Sequence, residues 1–482
     1  MNKYKYLAKN TFLFTIGSLS SKLVMFIFLP LYTYYLTTEQ YATIDLITVI
    51  NKLLVPVLSC SIYEGVLRFA LDKNEDKKKV FTIGLEFLIL GCIIALLLLP
   101  MLDLVESLGE YKIYCYLLFV ITALNSLFSV FARSIDKVKI ITINSIVSTS
   151  IIAILNVLLI AVLKMNIHGY FISLIVGNFV SDILYFIVGK MYIYVDFKSN
   201  DKVLLKKMLK YSIPLIPNSL FWWINSSIDR FFLTAMSTLS IVGLYSAASK
   251  LPAILNTLNG IFQQAWGISA IKENEEHSNS KFFSQVYILY NLFILICSIG
   301  IIITCKYFGK ILFNKDFYEA WKIVPALTVG FFYSCLNSFL GTIYTSNKKT
   351  GSLLTTTCIG ALINITFNFI FIPKLGAIGA AIGTCISHFS VWIFRFVNGN
   401  KILKLDVNIK NMIFSHIGLI IIALLITMNK IYFEILSIII IIVIMLVNKR
   451  DILIIIKKFQ EMIIKRKGKN DEKYIEKNEI KN

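Results

Sequence analysis

The sequence predicts an all-α membrane protein of about fourteen transmembrane helices, in two six-helix lobes plus a C-terminal helix pair. Three observations carry this. Of the 482 residues, 57% are hydrophobic and 16% charged, and mean hydropathy is +0.74; a soluble chain carries about a quarter charged residues. The apolar residues come in runs of about twenty, the length that crosses a bilayer core. Sparse identities also repeat, in the same order, between the first six runs and the next six.

The runs lie near residues 11–32, 41–63, 80–101, 113–131, 140–163, 168–189, 212–234, 239–269, 282–305, 321–345, 351–372, 375–397, 411–429 and 431–447. The first is too long for a signal-peptide core and no small-residue cleavage site follows it, so it is expected to stay as a span. The eighth is long, and the last two are joined only by Asn429 and Lys430. Orientation follows from the basic residues between spans. With the N-terminus inside, the Lys-rich breaks fall on the cytoplasmic side, among them 72–79 and 190–210. An even number of spans returns the chain to that side, where the tail from Lys449 holds eleven more basic residues. Both termini are therefore expected in the cytoplasm, with the chain crossing the inner (cytoplasmic) membrane many times. The net charge of +20 is then a topology signal; a nucleic-acid partner is not expected, because the charge sits at membrane edges. Residues 452–464 read as an apolar-basic helix lying on the membrane surface. Residues 465–482 are too charged to pack.

The repeat sets the expected domains. Tyr35-Leu36-Thr37 after the first run matches Phe232-Leu233-Thr234 after the seventh, at an offset of 197. Lys52-Leu53 matches Lys250-Leu251 at an offset of 198, a register that sets Asp45 against Gly243. Lys139 and Gly169 match Lys349 and Gly379 at an offset of 210. Six spans is an even number, so both halves enter the membrane from one side as a parallel repeat. The expected division is 1–195 for the first lobe, 196–405 for the second, 406–450 for the helix pair and 451–482 for a basic cytoplasmic tail.

Charges inside spans are costly and face aqueous cavities or one another. The first two spans of each half carry polar stripes at helical spacing: Thr11, Thr15, Ser18 and Lys22; Asp45, Thr48, Lys52 and Ser59; Asn218, Trp222, Asn225 and Asp229, then Arg230; and Ser246, Lys250, Thr257 and Gln264. Equivalent helices from two lobes would line a central cavity. The candidate substrate-binding residues are Lys22, Lys52, Arg230, Lys250, Asp45, Asp229 and Asn225. Plainer readings stand beside these. Lys22 lies too deep to snorkel readily, but Lys250 could, Lys52 could pair with Asp45, and Arg230 with its neighbour Asp229. Glu64 and Arg68 are spaced as a helix-stabilising pair, and Asp182 and Arg395 read as packing or interfacial charges. The mid-span set is rich in cations, which suits an anionic, phosphate-bearing substrate and not an organic cation.

Nothing points to an enzyme. The eight cysteines show no C-x-x-C pair or metal-like spacing, the four histidines form no motif, and no Walker A, G-x-S-x-G or H-E-x-x-H is present. No cofactor or metal is expected, and no motif names a coupling ion.

Three stretches carry a resemblance. Leu29-Pro30-Leu31-Tyr32-Thr33, followed by Leu36-Thr37, Tyr41 and Ile44-Asp45-Leu46, resembles the N-terminus of the polysaccharide-biosynthesis oligosaccharide flippases. Ile228-Asp229-Arg230-Phe231-Phe232-Leu233, then 242–251 from Val242-Gly243-Leu244-Tyr245 to Lys250-Leu251, then Phe262, Ala265 and Trp266, resembles that family's central signature. The glycine-rich stretch 375–384 resembles its twelfth span. The resemblance implies the fold of the multidrug/oligosaccharidyl-lipid/polysaccharide exporter superfamily: two six-helix lobes in a V, working by alternating access. It implies an undecaprenyl-pyrophosphate-linked oligosaccharide as substrate, flipped to the outer leaflet among membrane lipids, with a polysaccharide polymerase or glycosyltransferases as protein partners. Related lipid II flippases place cations in spans 1, 2 and 8 of the cavity; Lys22, Lys52 and Lys250 match by span and depth. Lys stands here where those relatives often have Arg, so bidentate phosphate recognition is not implied. A lipid II flippase or a multidrug–cation antiporter of the same superfamily shares the fold. A membrane polysaccharide polymerase would need a large outer loop, and the largest here, 306–320, is short.

Overall fold

The computed structural model describes residues 26–453, apart from 73, 105, 198–200, 277–279 and 348. Lys22, residues 11–25 of the first span, and the proposed surface helix and tail beyond 453 lie outside the described residues.

The described residues are helical, without strands. The first lobe is built from α1 (Leu29–Tyr35), α2 (Thr38–Leu58), α3 (Ile62–Ala70), α4 (Lys77–Leu98), α5 (Lys112–Ser134), α6 (Val138–Asn156, extended by a π segment Val157–Val162) and α7 (Asn166–Ile187). The amphipathic α8 (Lys202–Ser212) leads into the second lobe. That lobe comprises α9 (Ile216–Met236), α10 (Leu239–Ala248), α11 (Ala253–Glu276), α12 (Ser280–Leu312), α13 (Val324–Ser346) and α14 (Thr350–Ile402). A last pair, α15 (Ile409–Thr427) and α16 (Ile431–Val447), packs on α12 and α13 through α15. Nine of the described helices are long and apolar enough to cross a membrane.

Local chemistry sets several boundaries. Thr37 caps α2 reciprocally with Gln40, satisfying amide groups that a helix start leaves bare. Asp76, Asp201 and Asn408 cap α4, α8 and α15. The 53 residues of α14 are broken at Gly376, whose φ of +54° suits only a residue without Cβ. The break gives two antiparallel arms and agrees with the separate spans expected at 351–372 and 375–397. The long eighth run is likewise divided: α10 stops at Ala248, and Ser249 to Pro252 turn before α11 begins. Proline has no N–H to continue a helix, which accounts for the break.

One hydrophobic core runs from α1 and α2 into the second lobe and the last helix pair, a second lies among the first lobe's helices and α8, and the lobes meet along α2 against α9 and α10. They come into backbone contact at Gly243, where a Cβ would lie 2.0 Å from the Thr38 carbonyl oxygen. Only glycine lets α2 and α10 cross this tightly. The lobes are joined at the end carrying residues 36–38, 237–238 and 313–323. There Thr33 Oγ1 donates to Leu312 O (2.7 Å), Thr38 Oγ1 lies 2.7 Å from Ser240 Oγ, and Lys315 Nζ donates to Tyr34 O (2.9 Å). Tyr41 meets Phe317 edge to face at 5.6 Å.

Candidate functional site between the lobes

Helix periodicity places Asp45, Val49 and Lys52 on one face of α2, turned toward the second lobe. At 1.5 Å per residue, Asp45 lies about 10 Å and Lys52 about 21 Å along α2 from its start. From α9, Trp223, Ser226 and Arg230 face them. Trp223 Nε1 donates to Val49 O at 2.9 Å, tying the two lobes half-way along α2.

Asp45 is the centre of the site. It accepts from Arg230 Nε, from Ser246 Oγ at 2.7 Å and from Lys250 Nζ at 3.3 Å. The carboxylate belongs to the first lobe and all three donors to the second. Its side chain is 9% exposed, that of Arg230 11% and that of Lys250 31%, so the cluster is driest at Asp45 and Arg230 and wetter toward Lys250. Arg230 also donates to Ser226 O at 3.2 Å, and its guanidinium lies 5.6 Å from the centre of the Tyr245 ring. Lys250 sits in the break between α10 and α11, its ammonium 5.9 Å from the centre of the Tyr41 ring.

Lys52 is different. It is exposed although it lies deep in a span, and no hydrogen bond or ion pair engages it among the described residues. It therefore lines open space beyond the Asp45 cluster. Lys52, Arg230 and Lys250 set three positive charges against the one carboxylate, leaving this face of the cleft cationic.

The other sequence candidates lie elsewhere. Asp229 does not pair with Arg230. Successive residues on a helix point about 100° apart, and Asp229 turns into the second lobe, 3% exposed. There it accepts from Tyr245 Oη (2.7 Å), Thr384 Oγ1 (2.7 Å) and Asn368 Nδ2 (2.6 Å). It is a buried hub joining α9, α10 and both arms of α14. The Asn225 amide donates to Phe221 O and Thr357 O; its residue borders a cavity of about 40 Å³ with Trp222, Asn337, His388 and Arg395. Arg395 is buried and donates to Thr356 Oγ1, Thr357 Oγ1 and Asn337 O, a packing role. The expected Glu64–Arg68 pair is not formed; both lie on α3, and nothing in the structure explains its absence. Ser246 and Trp223 were missed as site residues. Ser246 was visible in its polar stripe, whereas the Trp223 contact with a backbone carbonyl of another helix leaves no sequence signal. No group of three or more His, Cys, Asp or Glu side chains that could hold a metal occurs among the described residues.

A family profile described as polysaccharide biosynthesis protein matches residues 7–267. An uncharacterized membrane protein of Methanocaldococcus jannaschii is 28% identical over 182 residues, 36% of each chain. The aligned stretch thus spans about a third of that curated relative. Among solved structures, a lipid II flippase MurJ in an inward closed conformation superposes with a TM-score of 0.69 at 18% identity, over 93% of this chain and 99% of that one. An inward-facing multidrug resistance MATE transporter of the MOP superfamily gives 0.64 at 14% identity, over 82% and 96%. These likenesses show the fold.

Proposed function

The chain belongs to the polysaccharide biosynthesis protein family, and from that premise we propose that it flips an undecaprenyl-pyrophosphate-linked oligosaccharide across the cytoplasmic membrane for surface polysaccharide assembly. Its fold is that of the MOP-superfamily transporters, and it is a multi-pass membrane protein. The observation that carries the reading is the cationic cleft: Lys52, Arg230 and Lys250 around a single carboxylate, Asp45.

The diphosphate competes with Asp45 for Lys250 and Arg230, while Lys52 meets it from the first lobe. Each charge-assisted contact made in a water-poor cleft is worth about 1.5–3 kcal/mol, or roughly ten- to hundredfold in affinity. Drawing the two cations from Asp45 removes the ionic link between the lobes, so substrate binding and opening of the 36–38 end are coupled. The lipid tail stays in the bilayer as the head group crosses. With both termini in the cytoplasm, the closed end faces outward and the cleft receives its cargo from inside.

The test is a deletion strain. Surface glycan should be lost while its lipid-linked precursor is still made and accumulates on the inner leaflet. Failure to make the precursor at all would place the protein earlier, as an enzyme.

A further inference from the structure

The second lobe holds a small recess of about 40 Å³, walled by α9, α13 and the two arms of α14. That is more than the roughly 10–15 Å³ that one water needs, and too little for a sugar ring. Trp222 lines it and is 55% exposed. Along α9, Trp222, Ser226 and Arg230 follow one another at four-residue steps, a single helical stripe. Trp222 therefore lies about 12 Å from Arg230 along the helix. In the orientation proposed above α9 starts at the cytoplasmic side, so a head group moving toward Asp45 passes Trp222.

The recess wall carries unspent hydrogen-bonding groups of both kinds. Asn337, on α13, lines it and donates its amide to His388 O at 2.9 Å. That bond fixes the amide and leaves Oδ1 buried without a partner. Arg395, on the second arm of α14, also lines the recess and is 5% exposed. It spends three of its five N–H groups on Thr356 Oγ1, Thr357 Oγ1 and Asn337 O. Those bonds pack the helices, but no carboxylate pairs with the guanidinium among the described residues. The bond to Asn337 O, at 2.8 Å, sets it beside Asn337. Val391 supplies an apolar wall.

An anion would suit Arg395 but meet the bare Asn337 oxygen. A cation would suit that oxygen but meet Arg395. The recess fits a neutral group that accepts at one end and donates at the other, with an apolar edge for Val391. We propose that it receives the acetamido group of an N-acetylated sugar in the cargo. The acetamido carbonyl accepts from Arg395, its N–H donates to Asn337 Oδ1, and its methyl rests on Val391. Trp222 offers its ring to the apolar face of the same sugar. Arg395 and Asn337 then read the substituent, whereas Trp222 holds any pyranose. This inference deepens the flippase reading and rests on it.

The test is equilibrium binding to the purified full chain in lipid nanodiscs. The probes are undecaprenyl pyrophosphate alone, the same lipid carrying glucose or galactose, and the 2-acetamido counterparts of those two. At least one acetamido lipid should bind roughly tenfold more tightly than its hydroxyl counterpart, the contribution of one hydrogen bond to a charged group. The corresponding 2-amino sugar lipid should lose that gain, because its ammonium meets Arg395. Asn337→Ala should abolish the gain and leave undecaprenyl pyrophosphate binding unchanged. Trp222→Ala should weaken every sugar lipid severalfold, again without touching undecaprenyl pyrophosphate. Where Asn337→Ala fails to accumulate, the acetamido-to-amine comparison on the wild type decides. No acetamido gain with either sugar, a gain kept by the amine or by Asn337→Ala, or sugar binding untouched by Trp222→Ala would overturn this inference alone. A wild type that binds none of the diphosphate lipids would overturn the flippase reading as well.

Discussion

Lys52→Ala and Lys250→Ala test the cleft at the level of single side chains. The double substitution should abolish glycan export in a complemented deletion strain at normal membrane levels, and Lys→Arg at either site should keep the charge and part of the activity. Full export by the double variant would refute a role for these lysines in cargo binding. Asp229 serves as the contrast. Asp229→Ala removes the acceptor of three buried donors, and each donor left bare costs about 1–3 kcal/mol. The variant should therefore lose melting temperature and abundance, whereas the lysine variants should not. Asp229 and Arg230 were both legible in the sequence as charges in spans. Their difference was not, because Asp229 and Arg230 are adjacent in the chain and face opposite surroundings.

At the scale of elements, two short helices carry weight that hydropathy does not register. The amphipathic α3 and α8 pack on one another and on the first lobe, yet they fall in breaks between apolar runs. The α8 cap is open to test. The Leu204 N–H and then the Lys79 ammonium bond the charged form of Asp201, which lowers its carboxyl pKa below the usual value of 3.8. A depressed carboxyl stabilises the fold above its unfolded value and loses that contribution as pH falls through the lower, folded one. Asp201→Ala should therefore lower the melting temperature at neutral pH, with the difference from wild type closing below about pH 4. A constant difference across that range would mean that the cap is not ionic. Gly243 governs a different contact. Gly243→Ala brings a methyl against the Thr38 carbonyl and should push α2 and α10 apart, leaving the fold intact but the 36–38 end harder to close.

For the whole molecule, the expected motion is separation of the lobes at that end. Thr38 and Ser240 oppose one another across it at 2.7 Å. In a cysteine-free background, Thr38→Cys with Ser240→Cys should form a disulfide that stops export, and reduction should restore it. Gly243→Ala in the same background should lower the cross-linking yield. Export undiminished by the cross-link would show that the lobes need not part here. Orientation is a separate matter. Reporter fusions after residues 110 and 480 should report opposite sides of the membrane; the same side for both would sink the fourteen-span arrangement with cytoplasmic termini.

The sequence by itself determined the fold class, the helical runs and the cationic character of the cleft-lining stripes. These properties depend on composition and on a period of 3.6 residues, and both are local. The tertiary structure decided which charges meet. Asp45 serves Arg230 and Lys250, 185 and 205 residues away, instead of Lys52 about two turns along its own helix, because α2 packs against α9 and α10, closely where Gly243 permits it. It also decided that Asp182, which reads as a packing or interfacial charge in the sequence, is buried and accepts from the Asn125 amide of a neighbouring helix. Such a contact is made where helices cross, and no segment of the chain encodes it alone.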